Sequence, residues 1–225
     1  MSGLLHSIVG PRVPVAELQA RRWRYLTPNL MLMAARVLLL LSLFLPYWHM
    51  ELEAPQYPNG LYLTAYVNNL EGDVKEIDGL NHYIGMRPLD QAAAFEKAAA
   101  VWVVVAMVLL VEGAAFIHTK WAVILALPAV FFPLGFLGDL WFWLRTFGQN
   151  LDPSAPLSAA VKPFTPTLLG EGGIGQFRTY SEMGIGLHLA FACSILTLIA
   201  FFFHRRAYKP LYDRERAALM ESVAA

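Results

Sequence analysis

Four apolar runs, each about as long as a bilayer is thick, constrain this chain more than any other feature of its sequence. A helix needs about 20 consecutive apolar residues to cross the hydrocarbon core. The first run covers about Asn29 to Trp48 and the second about Ala92 to Ile117. The third covers about Trp121 to Leu144 and the fourth about Ser181 to Phe203. Composition agrees: 57% of residues are hydrophobic, 15% are charged, and mean hydropathy is +0.47, too apolar for an ordinary soluble domain. The fold class predicted is an all-α membrane protein, a bundle of four transmembrane helices. Thr27-Pro28 reads as the cap and first position of the first helix. Pro128, Pro133, Gly135 and Gly138 predict a kinked or closely packed third helix.

Basic residues set the expected direction. Arg12, Arg21, Arg22 and Arg24 precede the first run, Lys120 separates the second from the third, and Arg205, Arg206, Lys209, Arg214 and Arg216 follow the fourth. Both ends are therefore expected in the cytoplasm (N-in/C-in). The division is a cytoplasmic segment 1–28, a transmembrane domain 29–203 with extracytoplasmic loops 49–91 and 145–180, and a cytoplasmic tail 204–225. Tyr47, Trp48, Trp121, Trp141 and Trp143 fit an interfacial belt. Met1 to Arg24 lacks a short apolar core with a small-residue cleavage site, so no cleavable leader is expected. Acids and bases balance at 17 each, which argues against nucleic acid as a partner. The one cysteine, Cys193, lies in an apolar run and reads as a small buried hydrophobe.

The loops carry their own order. Gly60 to Val67 and Asp73 to Asp78 read as two short strands, a small β-hairpin turned at Asn68-Asn69 and Gly72. Asp78-Gly79 breaks the chain, and Asn81 caps a short helix through Met86 that stops at Pro88. The second loop is rich in Pro and Gly and reads as extended, packed on the first.

Chemistry concentrates in that first loop. His82 and Met86 are one helical turn apart if the segment is helical, so imidazole and thioether share a face. Together they are soft donors suited to copper(I). The plainer alternative has His82 bonding a loop carbonyl and Met86 packing beneath the loop. His49 and Met50 close the first span on the same side, either as further ligands or as an interfacial pair. Met183 opens the fourth span there, and His188 follows. Asp139 and His188 fall at similar depth and are expected to pair, as a structural hydrogen bond or as a group that orients the imidazole or passes protons. Arg36 and Glu112 also match in depth and read as a helix lock, with an ion pathway as the lesser alternative. No P-loop, GxSxG, HExxH, EF-hand or two-cysteine motif occurs, so no enzyme chemistry is predicted. Gly170 to Gly175 is glycine-rich but makes no phosphate cradle.

Three strings carry a resemblance: Leu52-Glu53-Ala54-Pro55-Gln56-Tyr57-Pro58-Asn59-Gly60-Leu61, Leu80 to Met86, and Asn150-Leu151-Asp152-Pro153-Ser154-Ala155-Pro156. With the order of spans, they make most of the chain similar to a family of four-span bacterial inner-membrane proteins. Members of that family are encoded beside nitrous oxide reductase and its copper-maturation genes. The resemblance implies a denitrification accessory protein that holds copper(I) on its outer face. Its partners would be the lipid bilayer and a periplasmic copper protein, and its ligands would be His82 and Met86, scaffolded by Pro55, Gln56, Tyr57 and Asn81. Gly148-Gln149-Asn150 departs from the Gly-His-Asn of that family, so the second loop supplies no imidazole there. Two functions stay open: copper handling or maturation of an extracytoplasmic copper enzyme, with metal ligands His82, Met86, His49 and Met50; or a non-catalytic structural or docking subunit of a larger membrane complex.

Overall fold

The computed structural model describes residues 8–11, 13–174 and 176–224. The basic residue Arg12 and the end of the glycine-rich stretch, Gly175, lie outside them. Six helices are used below: α1 (Val15–Ala20), α2 (Arg22–Ser42), α3 (Val74–Ile84), α4 (Ala94–Ala115), α5 (Trp121–Gln149) and α6 (Ile185–Ala224). Five strands accompany them: β1 (Trp48–Ala54), β2 (Tyr57–Ala65), β3 (Leu70–Gly72), β4 (Gly170–Ile174) and β5 (Phe177–Met183). Four helices are long and apolar enough to cross a membrane: α2, α4, α5 and the Ile185–Ala218 stretch of α6. By length and composition these four are candidate membrane spans among the described residues, and the chain also carries an antiparallel sheet.

The chain divides into two compact units. One comprises Met1–Leu40, Val104–Phe132 and Phe191–Ala225. It is helical, and small side chains line its interior: Ala35, Ala114, Ala122, Ala126, Ala129 and Ala200 are all fully or nearly fully buried. Small residues let helix backbones approach where lipid supplies no hydrophobic drive between them. Larger side chains such as Val123, Ile124, Leu127 and Phe131 point outward. Arg36 of α2 and Glu112 of α4 form an ion pair in this unit.

The other unit comprises Leu41–Val103 and Pro133–Ala190 and contains the whole sheet. The strand order is β3-β2-β1-β5-β4, every pairing antiparallel. The expected hairpin is thus the smaller part of a five-stranded sheet. β1 pairs with β2 next to it in sequence, and also with β5 some 130 residues on, Trp48 opposite Met183. Two expected spans give up residues to these strands: α2 stops at Ser42 and α6 starts at Ile185; Trp48–Ala54 alternates apolar and polar at the strand period, and along Phe177–Met183 Thr179 and Ser181 are buried while Arg178 and Glu182 are exposed. Pro28 sits inside α2, which starts nearly two turns earlier at Arg22.

The stretch Asp73–Asp78 is helical rather than a strand. Val74, Ile77, Asn81 and Ile84 recur at i, i+3, i+7 and i+10, and Ile77, Asn81 and Ile84 are the buried positions of α3. Gly79, expected to break the chain, sits on its exposed side. The helix ends two residues short of Met86, at Gly85, whose φ of 80° is left-handed. Gly85 N–H bonds the His82 carbonyl at 3.3 Å and Met86 N–H the Asn81 carbonyl at 2.8 Å, the paired bonds of a Schellman cap.

One sheet face packs on a core of Trp48, Leu52, Leu61, Leu63, Ala65, Ile77 and Leu89, with Phe136, Leu140 and Leu144 of α5 against it. Tyr47 and Trp48 belong to this interior, 0% and 1% exposed, and not to an interfacial belt; Trp121 and Trp141 are 46% and 44% exposed. Tyr47 shares a 2.7 Å hydrogen bond with Ser42, and Trp48 Nε1–H donates to the Leu168 carbonyl at 2.7 Å. The second loop does pack on the first: Asp152 N–H bonds the Gly85 carbonyl at 2.8 Å and Leu157 N–H the Tyr83 carbonyl at 2.9 Å. A Cβ added at Gly135 or Gly138 meets nothing within 4 Å, so neither glycine marks a close helix contact here.

Candidate functional site

The sheet register sorts the candidate ligands. Successive strand residues point to opposite faces, so His49 and Met50 diverge. Met50 lies between Leu63 and Ser181 on the core face. His49 lies between Thr64 and Glu182 on the other face, and its Nδ1 is 3.1 Å from Thr64 Oγ1. His82 and Met86 diverge too, because the left-handed Gly85 reverses the chain between them. His82 is exposed beside Tyr83, whereas Met86 is buried with Ile84 and Phe147. Met50 and Met86 line one cavity beneath the sheet, and the two imidazoles stand outside it. The four donors do not form one ligand set, and among the described residues no three His, Cys, Asp or Glu side chains are grouped to hold a metal ion.

The remaining candidates have other partners. Asp139 lies near the Trp143 side chain one turn on, with Glu96 as the nearby charge. His188 Nδ1 bonds the Gly184 carbonyl at 2.8 Å, one turn back along its own chain. The described hydrogen bond of His188 therefore goes to its own chain one turn back and not to Asp139. Met183 faces Trp48 across the β1–β5 ladder.

The face of the sheet turned away from the core is built by register into cross-strand rows. Glu71, Thr64, His49 and Glu182 form one row across β3, β2, β1 and β5. Tyr62, Glu51, Tyr180 and Glu171 form the next across β2, β1, β5 and β4. Glu53 and Arg178 form a third. Five carboxylates thus stand against one guanidinium, and Glu53, Glu71, Glu171, Glu182, Arg178 and Tyr62 are all exposed. Tyr62 donates to Glu51 Oε1 at 2.9 Å, and that bond to a carboxylate raises the phenol above its ordinary value of about 10. Beside α3, Asp152 accepts from Ser154 Oγ–H at 2.6 Å and Ser154 N–H at 2.8 Å, which hold its carboxyl below the usual range.

Sequence reasoning missed two features. His118, between α4 and α5, lies with Nδ1 3.2 Å from Nε2 of His204 in α6. Its ring stacks on Tyr208 at 3.7 Å between centroids, and burial pushes His118 down to about 4. The two histidines are 86 residues apart, so no local spacing signals them. The second feature is the cavity beneath the sheet, about 60 Å³, walled by Trp48, Met50, Leu63, Met86 and Leu144 among others. Asn81 and Thr179 belong to its wall, and Asn81 Nδ2 and Thr179 Oγ1 have no hydrogen-bond partner among the described residues. Each such buried group costs about 1–3 kcal/mol left unpaired. Neither a protein-family model nor a curated protein matches the sequence.

Proposed function

We propose that this chain is a membrane-anchored docking subunit whose acid-rich sheet face receives a basic surface of a soluble protein partner. The single observation that carries this reading is the register of the sheet. It gathers Glu51, Glu53, Glu71, Glu171 and Glu182 on one face with Tyr62 and Tyr180 among them, while the opposite face is committed to the core. Tyrosine is enriched at interfaces because its ring gives contact area and its hydroxyl a polar end. Charge of one sign steers an oppositely charged partner and makes association sensitive to salt. With the basic residues setting orientation, this face lies outside the cytoplasm, against a partner in the extracytoplasmic space. The helices then serve as the anchor within an inner-membrane complex.

Copper(I) handling, the role the resemblance implies, needs two or three of His82, Met86, His49 and Met50 to converge on the outer face. Their division between the exposed surface, the outer sheet face and the core cavity favours docking over metal transfer. Purification in mild detergent followed by native mass spectrometry separates the two. Docking predicts a stoichiometric basic partner that dissociates as salt is raised and is lost in a Glu51→Lys/Glu182→Lys variant. A lone particle whose copper(I) affinity falls in His82→Ala and Met86→Ala would restore the copper reading and remove this one.

A further inference from the structure

We infer that one end of the helical unit, where α2 begins, α4 gives way to α5 and the apolar stretch of α6 closes, is a binding surface for anionic phospholipid headgroups. The inference is independent of the docking role, since every residue it uses lies in the unit that does not contain the sheet.

Contacts between the three segments hold them together at this end. Arg24 Nη2–H donates to the Arg206 carbonyl at 2.7 Å, joining the first turn of α2 to α6. Tyr25 meets Tyr208 edge-on, 5.4 Å between centroids. His118, in the α4–α5 link, faces His204 and stacks on Tyr208. Arg22, Arg24, Lys120, Arg205, Arg206 and Lys209 are thereby gathered, and all but Arg24 are exposed. Acids are missing from the same stretches: none occurs in 18–50, 113–138 or 183–212. The two ion pairs described in this unit, Arg36 with Glu112 and Arg214 with Glu17, engage none of the six cations.

The groups beside the cations select the partner. Trp23 is 71% exposed between Arg22 and Arg24, and Phe202 is 65% exposed one turn before Arg206. Phe116 and Trp121 are exposed on either side of the link that carries Lys120. Rings open to the outside next to cations complement a phospholipid, whose acyl chains lie along the rings while its phosphate meets the ammonium or guanidinium. An acidic soluble protein would match the cations alone, whereas these rings continue into the apolar exteriors of the four candidate spans. The short helix α1 repeats the arrangement. Glu17 turns inward to Tyr25 and Arg214, and Val15 and Leu18 stay exposed, as in a segment lying in the headgroup region. Near such a surface each Lys or Arg strengthens the attraction between protein and a net negative lipid about fivefold.

The test titrates the full chain in mild detergent with phosphatidylglycerol and with phosphatidylcholine of the same acyl chains, and reads bound lipid by native mass spectrometry. The first phosphatidylglycerol should bind about fivefold or more tightly than the first phosphatidylcholine, and the preference should shrink as salt rises. The Arg22→Gln/Arg205→Gln/Lys209→Gln variant changes only exposed side chains and should bind the two lipids about equally. A matched variant of exposed cations in the other unit, Lys75→Gln/Arg87→Gln/Lys162→Gln, should keep the parental preference. Equal binding of the two lipids by the parent would overturn the inference, as would a preference that survives the first variant. A preference lost to the same extent in both variants would overturn it too, by tracing the effect to net charge rather than to this surface. Displacement of the lipid by inorganic phosphate at constant ionic strength would do the same, by showing a site for the free anion.

Discussion

Replacing Gly85 by alanine tests the geometry that separates His82 from Met86. The residue holds φ at 80°, where an L side chain costs about 1–2 kcal/mol. The new Cβ would lie 2.6 Å from the Asp152 carbonyl oxygen, 2.8 Å from its nitrogen and 3.0 Å from Ala155 Cβ. Two of those neighbours are backbone and cannot rotate away. Relief therefore displaces the Asp152 segment and weakens the 2.8 Å bond from Asp152 N–H to the Gly85 carbonyl, a further loss of about 1 kcal/mol. Together these amount to roughly 2–4 kcal/mol of local stability. Gly79→Ala is the internal control: it is helical, its Cβ would meet nothing within 4 Å, and it should gain about 0.5–1 kcal/mol. Hydrogen exchange of the segments 74–90 and 150–155 in detergent micelles reads both variants. Faster exchange at Met86 and Asp152 in Gly85→Ala, with slower exchange through α3 in Gly79→Ala, is the expected pair of results. Parental protection in Gly85→Ala would refute the cap geometry and the outward placement of His82 with it.

Four further outcomes follow. His118 is neutral when folded and titrates near 6.5 when unfolded, so the unfolded state binds more protons between pH 6.5 and 4 and stability falls as pH drops through that window. For a half-buried ring the loss is roughly 1–2 kcal/mol, and His118→Gln should flatten that part of a thermal-melt pH profile. Arg36→Glu alone should lower the melting temperature, and adding Glu112→Arg should recover most of it; no recovery would mean the two side chains are not partners. Glu51→Gln should bring the Tyr62 phenol back toward its ordinary value in an ultraviolet titration, and an unmoved titration would deny the hydrogen bond across β1 and β2. Leu63→Ala, in the core under the sheet, should cost about 2–5 kcal/mol by chemical denaturation, while Glu53→Ala on the outer face should change stability by less than about 0.5 kcal/mol.

The four spans were readable because hydropathy over about 20 residues is a strong local signal. Arg36 and Glu112 were readable as neighbours because matched depth leaves opposite charges few other partners. The sheet was mostly hidden. β1 and β5 lie at the ends of apolar runs, where Trp48 or Met183 continues the hydropathy of a helix, and their pairing spans some 130 residues that no local pattern connects. The segment from Asp73 reads as a strand over its first six residues alone; the helical face is complete only with Asn81 and Ile84 further on. His82 and Met86 show the limit most sharply. Their spacing suits one helix face, yet a single left-handed residue between them turns one side chain to solvent and the other to the core.

The most direct test of the docking role is photocrosslinking from position 62 in native membranes, with benzoylphenylalanine replacing the exposed Tyr62. The account predicts one adduct with a basic extracytoplasmic protein, its yield falling as salt rises and lost when Glu51 and Glu182 become lysine. An adduct indifferent to salt and to those substitutions, or none but lipid, would contradict it.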